Sequence, residues 1–181
     1  MIRTALFCFS TLIGMPLAVA QGFPDKPITL VQGFAAGGNA DTIARIMAQG
    51  LSRELGQAVV VEAKTGAGGN LASAAVARAR PDGYTLILLT GGHAVSAAMY
   101  KSQSFDPVED FDWVSMVTRF PFVLATASDS PYKTVGDVVR VAKSQPGTVS
   151  YSSVGVGSTQ HLSGELFQSL AGVQMLSLIH I

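Results

Sequence analysis

Four times in this chain a short apolar run breaks into a glycine-rich turn and then into a helix-patterned segment. That recurrence limits the fold more than any other feature. The first turn, Gln32-Gly-Phe-Ala-Ala-Gly-Gly-Asn-Ala-Asp41, follows Ile28–Val31 and opens a helical pattern over Thr42–Leu55. The second, Lys64–Asn70, follows the branched run Ala58–Glu62 and opens an alanine-rich helix over Leu71–Arg80, with Asn70 as its expected cap. The third, Gly91-Gly-His93, follows Tyr84–Thr90 and leads into a short helical segment through Tyr100. The fourth, Val154–Ser158, follows Val149–Ser153, and Ser158 or Thr159 caps a helix reaching about Leu170. Strands alternating with helices in this way predict an α/β fold of mostly parallel sheets flanked by helices.

The apolar spacing also predicts which faces are buried. Ile43, Met47 and Leu51 share one face of the first helix, and Gly56 is its expected stop. Val135, Val138, Val139 and Ala142 form the inner face of a helix over Thr134–Ser144, and Leu162, Leu166, Phe167 and Leu170 that of the last one. Asp112–Thr118 and Pro121–Ala127 read as two further strands, and Met175–Ile181 as the start of a final one. Trp113 is expected in the core.

Charge and cysteine usage remove several function classes. The chain of 181 residues has 12 basic and 12 acidic side chains and no run of either sign. It therefore lacks the basic footprint of a nucleic-acid binder. Residues 1–20 read as an export signal: Arg3, an apolar stretch over Ala5–Leu17, and the small-residue site Ala18-Val19-Ala20, with cleavage expected after Ala20. The apolar run is shorter than the roughly 20 residues of a membrane span. The single cysteine, Cys8, lies inside that signal, so the mature chain has no thiol for a disulfide, a metal or a nucleophile.

Three readings of the glycine turns compete. Glycine is common wherever an α/β connection turns tightly. A nucleotide site is a second reading, but Gly66-Ala-Gly-Gly-Asn carries Ala72 where the dinucleotide fingerprint needs glycine, and no phosphate-binding lysine follows any turn. The third is a shared cleft, since strand-to-helix loops of a parallel sheet gather at one end. Phe34–Asn39, Gly66–Asn70, Gly91–His93 and Gly155–Thr159 would then offer backbone N–H groups, with hydroxyls from Thr65, Ser158 and Thr159, to a small carboxylate. On this reading the candidate ligand contacts are Phe34, Ala36, Gly37, Gly38, Asn39, Gly68, Gly69, His93, Ser158, Thr159 and His161. Catalysis has little support, because no Gly-x-Ser-x-Gly elbow occurs and Ser158 and His161 are placed to bond within one helical turn. A hydrolase using that pair is the alternative. No metal or cofactor is expected, the histidines being unpaired in spacing. Asp41 and Arg45 suit an ion pair along the first helix, and Arg119 could face either a ligand or solvent.

The set Phe23-Pro-Asp-Lys-Pro-Ile-Thr-Leu-Val31, Phe34-Ala-Ala-Gly-Gly-Asn-Ala-Asp41 with Ala44-Arg45, Gly66-Ala-Gly-Gly-Asn70, Pro81-Asp-Gly-Tyr-Thr-Leu86 and Tyr151-Ser-Ser-Val-Gly-Val-Gly-Ser-Thr-Gln-His-Leu162 resembles the Bug-type substrate-binding proteins of tripartite tricarboxylate transporters. The likeness spans residues 23 to about 175. It implies a type II periplasmic-binding-protein fold whose two lobes close on a small organic carboxylate and pass it, as a monomer, to a membrane permease. A ligand-sensing role toward a membrane partner is a further possibility on the same scaffold. Residues 21–120 would form the first lobe and 121–181 the start of the second. Phe34, Gly37, Gly38, Ser158, Thr159 and His161 match the family's cleft-lining positions. Ala36 replaces the family's usual proline. Family members also continue past the point where this chain ends, which implies a truncated second lobe, with 176–181 departing from the native pattern. Weak or no binding by this chain is the corresponding expectation.

Overall fold

A computed structural model describes residues 22–179. The export signal read over residues 1–20, its cleavage after Ala20, and the last two residues lie outside them. The first sheet has three parallel strands in the order β2-β1-β3: β1 Ile28–Gln32, β2 Val59–Ala63 and β3 Thr85–Leu88. Helix α1, Asn39–Leu55, connects β1 to β2, and α2, Asn70–Ala77, connects β2 to β3. Helix α3, Gly91–Met99, follows β3. The second sheet pairs β4, Ser150–Ser153, with β5, Leu176–Ile179, again in parallel, joined by α5, Thr159–Ala171. Helix α4, Val135–Ser144, precedes β4.

β1 is the central strand of its sheet, and Ile28, Leu30, Val31 and Gln32 are all buried. A parallel strand covered on both faces needs such a continuous apolar run. Against it packs the alanine line of α1: Ala44 and Ala48 form one cluster with Leu30, flanked by Met47, Val59, Val61, Leu86 and Leu88. The expected face of Ile43, Met47 and Leu51 is only half-buried. The closest line of contact takes the smallest side chains, and the larger ones flank it. Gly56 ends α1 with φ 65°, the left-handed conformation that glycine adopts without penalty.

The second core comprises Val138, Ala142, Val149 and Val173, with Tyr132, Val139, Phe167 and Met175 packed around it. Val135, expected inward, is exposed, and so are Leu162, Leu166 and Leu170, the last at 80%. A two-stranded sheet is too narrow to cover that whole stripe, so only Phe167 and Ala171 of α5 meet the core. A capping box starts α4: Thr134 Oγ1 accepts from the Asp137 N–H at 3.2 Å, and Asp137 Oδ2 accepts from the Thr134 N–H at 2.9 Å. Thr134→Ala removes half of it and is expected to cost about 1 kcal/mol, read as a lower urea midpoint with an unchanged slope.

Three expectations are corrected. Residues 112–118 and 121–127 form no strands. Their branched and aromatic content suits a strand, but a strand needs a ladder, and among the described residues their only backbone-to-backbone hydrogen bond is the local turn in which the Ala127 carbonyl accepts from the Ser130 N–H. Trp113 is 62% exposed rather than in the core. Finally, α2 ends at Ala77 rather than Arg80, and Gly69, not Asn70, is its N-cap.

Candidate functional site

Construction of the site begins at Gln32, the last residue of β1, a polar side chain with no exposed surface. Its Oε1 accepts from the Phe34 N–H at 2.7 Å, and its Nε2 donates to Asp41 Oδ1 at 3.3 Å. Asp41 Oδ2 accepts from the Gly37 N–H at 2.9 Å and from Arg45 Nε at 2.8 Å. Asp41 is 3% exposed. The Arg45 hydrogen bond, followed by the Gly37 amide, holds its carboxyl below the usual aspartate range, while burial works in the opposite direction. The first turn is thus braced from within by one amide and one carboxylate side chain.

That bracing redirects two candidate donors. The Gly37 N–H is taken by Asp41, and the Gly38 N–H donates to the Ala35 carbonyl at 3.2 Å. The helix end behind them is different. Gly38 caps α1 with no side-chain hydrogen bond, so Asn39 and Ala40 begin the helix without a side-chain acceptor for their amides. Gly69 leaves α2 in the same condition. By contrast, α3 and α5 are closed: Thr90 Oγ1 accepts from the Gly92 N–H at 3.3 Å and Ser158 Oγ from the His161 N–H at 3.2 Å.

The first three turns meet through close backbone approach, and the fourth reaches the third through the Thr159 side chain. A Cβ on Gly33 would lie 2.6 Å from Gly69 Cα, which joins the first turn to the second. One on Gly92 would lie 3.3 Å from the Gly68 carbonyl oxygen, and one on Gly91 would lie 2.8 Å from Thr159 Cγ2. These contacts link the second turn to the third and the third to the fourth. Around them runs one open groove of about 2130 Å³, far above the roughly 300–1,000 Å³ of an enclosed small-molecule pocket.

Of the candidate contacts, Phe34, Gly38, Asn39, Gly68, His93 and Thr159 line this groove. Gly69 instead lines an adjoining cavity of about 10 Å³, together with Gly33, Phe34, Ser73 and His93. Ala36 and Gly37 lie on the first turn outside both linings, as do Ser158 and His161 on α5. Ser158 is 2% exposed, and its hydroxyl serves as the helix cap. His161 has Nε2 3.7 Å from Glu165 Oε1, while its Nδ1 is buried without a partner.

His93 presents no free ring nitrogen. Nε2 lies 2.8 Å from the Pro107 carbonyl oxygen, which can only accept, so this nitrogen carries the proton. Nδ1 lies 3.1 Å from Ser73 Oγ and takes the hydroxyl's hydrogen. The ring stacks on Phe105 at 5.8 Å and meets the edges of Phe111 and Trp113 at 5.1 and 5.9 Å. His93 is a strut between α2, α3 and the 105–113 segment. Sequence reasoning missed Gln32, Ser73 and the aromatic group. The one local signal was Gln32 itself, a polar residue closing an apolar strand nine positions before Asp41.

The family described as “Tripartite tricarboxylate transporter family receptor” (TctC) matches residues 43–181. This chain belongs to that family. It is 37% identical over 171 residues to a UPF0065 protein of Agrobacterium vitis, covering 94% of this chain and 49% of the relative. Protein BugT of Bordetella pertussis is 35% identical over 169 residues, with coverages of 92% and 52%. Among solved structures, the R. palustris protein Rpa4515 with adipate matches at TM-score 0.83 and 36% identity, covering 88% of this chain and 54% of that one. MatC from Rhodopseudomonas palustris with bound malate matches at 0.80 and 32%, covering 87% and 54%. The periplasmic binding protein BugD matches at 0.76 and 31%, covering 87% and 53%. The fold of this TctC-family chain is therefore that of the periplasmic binding proteins. The chain spans about half the length of the curated relatives it matches.

Proposed function

We propose that this chain is the ligand-recognising portion of a periplasmic solute-binding protein that captures a small organic carboxylate for a tripartite tricarboxylate-type transporter. The observation that carries the reading is the start of α1. Its amides open without a side-chain cap onto a groove lined by Gly38, Asn39 and Ala40. Such a helix end holds an anion through N–H groups and a partial positive charge, without a salt bridge. Family membership supports the same reading, as do the neighbours solved with adipate and malate.

In this mechanism the braced first turn positions the helix end in advance, so little ordering is needed on binding. A second lobe, begun by residues 121–181, hinges over the ligand and excludes water. Export to the periplasm follows the signal over residues 1–20. The membrane permease is the partner, and the chain acts as a monomer. No covalent step is involved. A hydrolase built on Ser158 and His161 has against it a nucleophile whose hydroxyl is sunk in the fold and engaged as a cap.

Adipate and malate are the probes that test this. Because the groove is open, millimolar affinity is expected. Carboxylate-dependent shifts should appear in the backbone amide resonances of Asn39 and Ala40, with no product formed. Absence of those shifts for both carboxylates in the chain extended to the length of its relatives, folded by circular dichroism, would overturn the reading.

A further inference from the structure

The two sheets have separate cores, and their elements touch where α3 meets α5. That contact lies at the helix starts: Gly91 is the first residue of α3 and Thr159 the first of α5. A Cβ on Gly91 would lie 2.8 Å from Thr159 Cγ2 and 4.0 Å from Thr159 Cβ. Carbon atoms rest roughly 3.5–4.0 Å apart. The missing side chain at position 91 is therefore what lets α5 come so close.

Nothing local requires glycine there. Gly91 lies outside the left-handed region, so alanine would fit its backbone. The turn is closed by Thr90 Oγ1 on the Gly92 N–H, which does not involve the side chain at 91. Among the described residues beyond its own turn, both atoms within 4 Å of that Cβ belong to Thr159. Thr159 has little room to yield. Its methyl sits on a branched carbon with few rotamers in a helix, and its Oγ1 donates to Gln160 Oε1 at 3.2 Å. At the other end of α3 the fit is looser. A Cβ on Gly157 would lie 3.7 Å from both Met99 Sδ and Tyr100 Oη, an ordinary contact distance. Of the two approaches, the one at Gly91 sets the limit.

Gly91 and Thr159 both line the groove, which takes Gly38 and Asn39 from the first sheet's side and Gly155, Val156 and Gln160 from the second's. Resting on the carboxylate reading above, we propose that Gly91 and Thr159 are positioning residues that gauge the groove. The absent side chain and the branched one form a stop that fixes how near its two sides lie. A methyl at position 91 would push the start of α5 outward by about 1 Å. In the proposed mechanism the second lobe closes over the ligand, so that displacement weakens binding while leaving the α1 amides in place.

A double-mutant cycle tests this, read by calorimetry with adipate and with malate in the chain extended to the length of its relatives. Gly91→Ala is expected to weaken both ligands about tenfold. In the Thr159→Ser background the methyl is gone and the hydroxyl kept. There, Gly91→Ala should leave the affinity of Thr159→Ser alone unchanged. Each variant is checked for fold by circular dichroism. An equal loss in both backgrounds would show that position 91 does not act through Thr159. No loss in the wild-type background would show that this contact does not hold α5. Either result overturns the gauge and leaves carboxylate capture standing. If the unsubstituted chain binds neither carboxylate, the carboxylate reading falls and this inference with it.

Discussion

Gly33→Ala is expected to destabilise the chain by about 3 kcal/mol, at the upper end of overpacking penalties, and to abolish any carboxylate response. The obstacle is backbone, not side chain: the new methyl would sit 2.6 Å from Gly69 Cα and 3.3 Å from the Gly69 carbonyl oxygen. A side chain could rotate away, but here one of two turns must move. Both turns flank the groove, so the same displacement that costs stability also misplaces the helix end proposed to hold the anion. Urea unfolding followed by far-UV circular dichroism reads the first effect, and calorimetry with adipate reads the second. Gly50→Ala is the control, because nothing lies within 4 Å of its added methyl and it is inside α1. That change should stabilise by about 1 kcal/mol. A wild-type midpoint for Gly33→Ala would show that the two turns do not touch as described.

Asp41→Asn should lower the thermal midpoint by several degrees at neutral pH, more than any surface charge change. The three groups facing the Asp41 carboxylate, Gln32 Nε2, the Gly37 N–H and Arg45 Nε, are all donors. An asparagine puts its own NH2 donor among them and removes the charge they were arranged around. The pH dependence gives an independent signature. The folded carboxyl titrates below the ordinary aspartate value of 3.8, so its contribution is fully present above that value. It fades as pH falls below 3.8 through the lower folded value. The wild-type and Asp41→Asn midpoints should therefore differ by a constant amount above 3.8 and converge in stronger acid. Parallel curves down to the acid limit would remove Asp41 from its role as the brace of the first turn.

Local patterns carried much of the architecture. The strand start at Ile28, the starts expected at Ala58 and Tyr84 and found one residue later at Val59 and Thr85, and the helix stop at Gly56 follow from residues adjacent in sequence, whose chemistry is local. What stayed hidden depends on distant partners. Nothing near His93 announces that Ser73, twenty residues earlier, and Pro107, fourteen later, will occupy both of its nitrogens. Periodicity located the buried side of α1 only approximately, because it weighs size. The sheet instead selected Ala44 and Ala48 for closeness. The Asp41–Arg45 pair was legible from its spacing, while its main service, fixing Gly37 and Gln32, was not. The expected strands at 112–118 and 121–127 failed for the same reason as His93: propensity is written in the segment, but pairing depends on other chain.

That unpaired stretch also bears on how this chain, which spans about half the length of its relatives, would behave when prepared alone. From Trp113 to Leu124 apolar side chains are widely exposed, a composition that invites sheet formation between molecules. Arg119 and Pro121 interrupt it midway, one with charge and the other with a missing N–H. In the chain prepared alone they would act as gatekeepers, splitting a sticky ribbon into two segments each too short to seed a fibril readily.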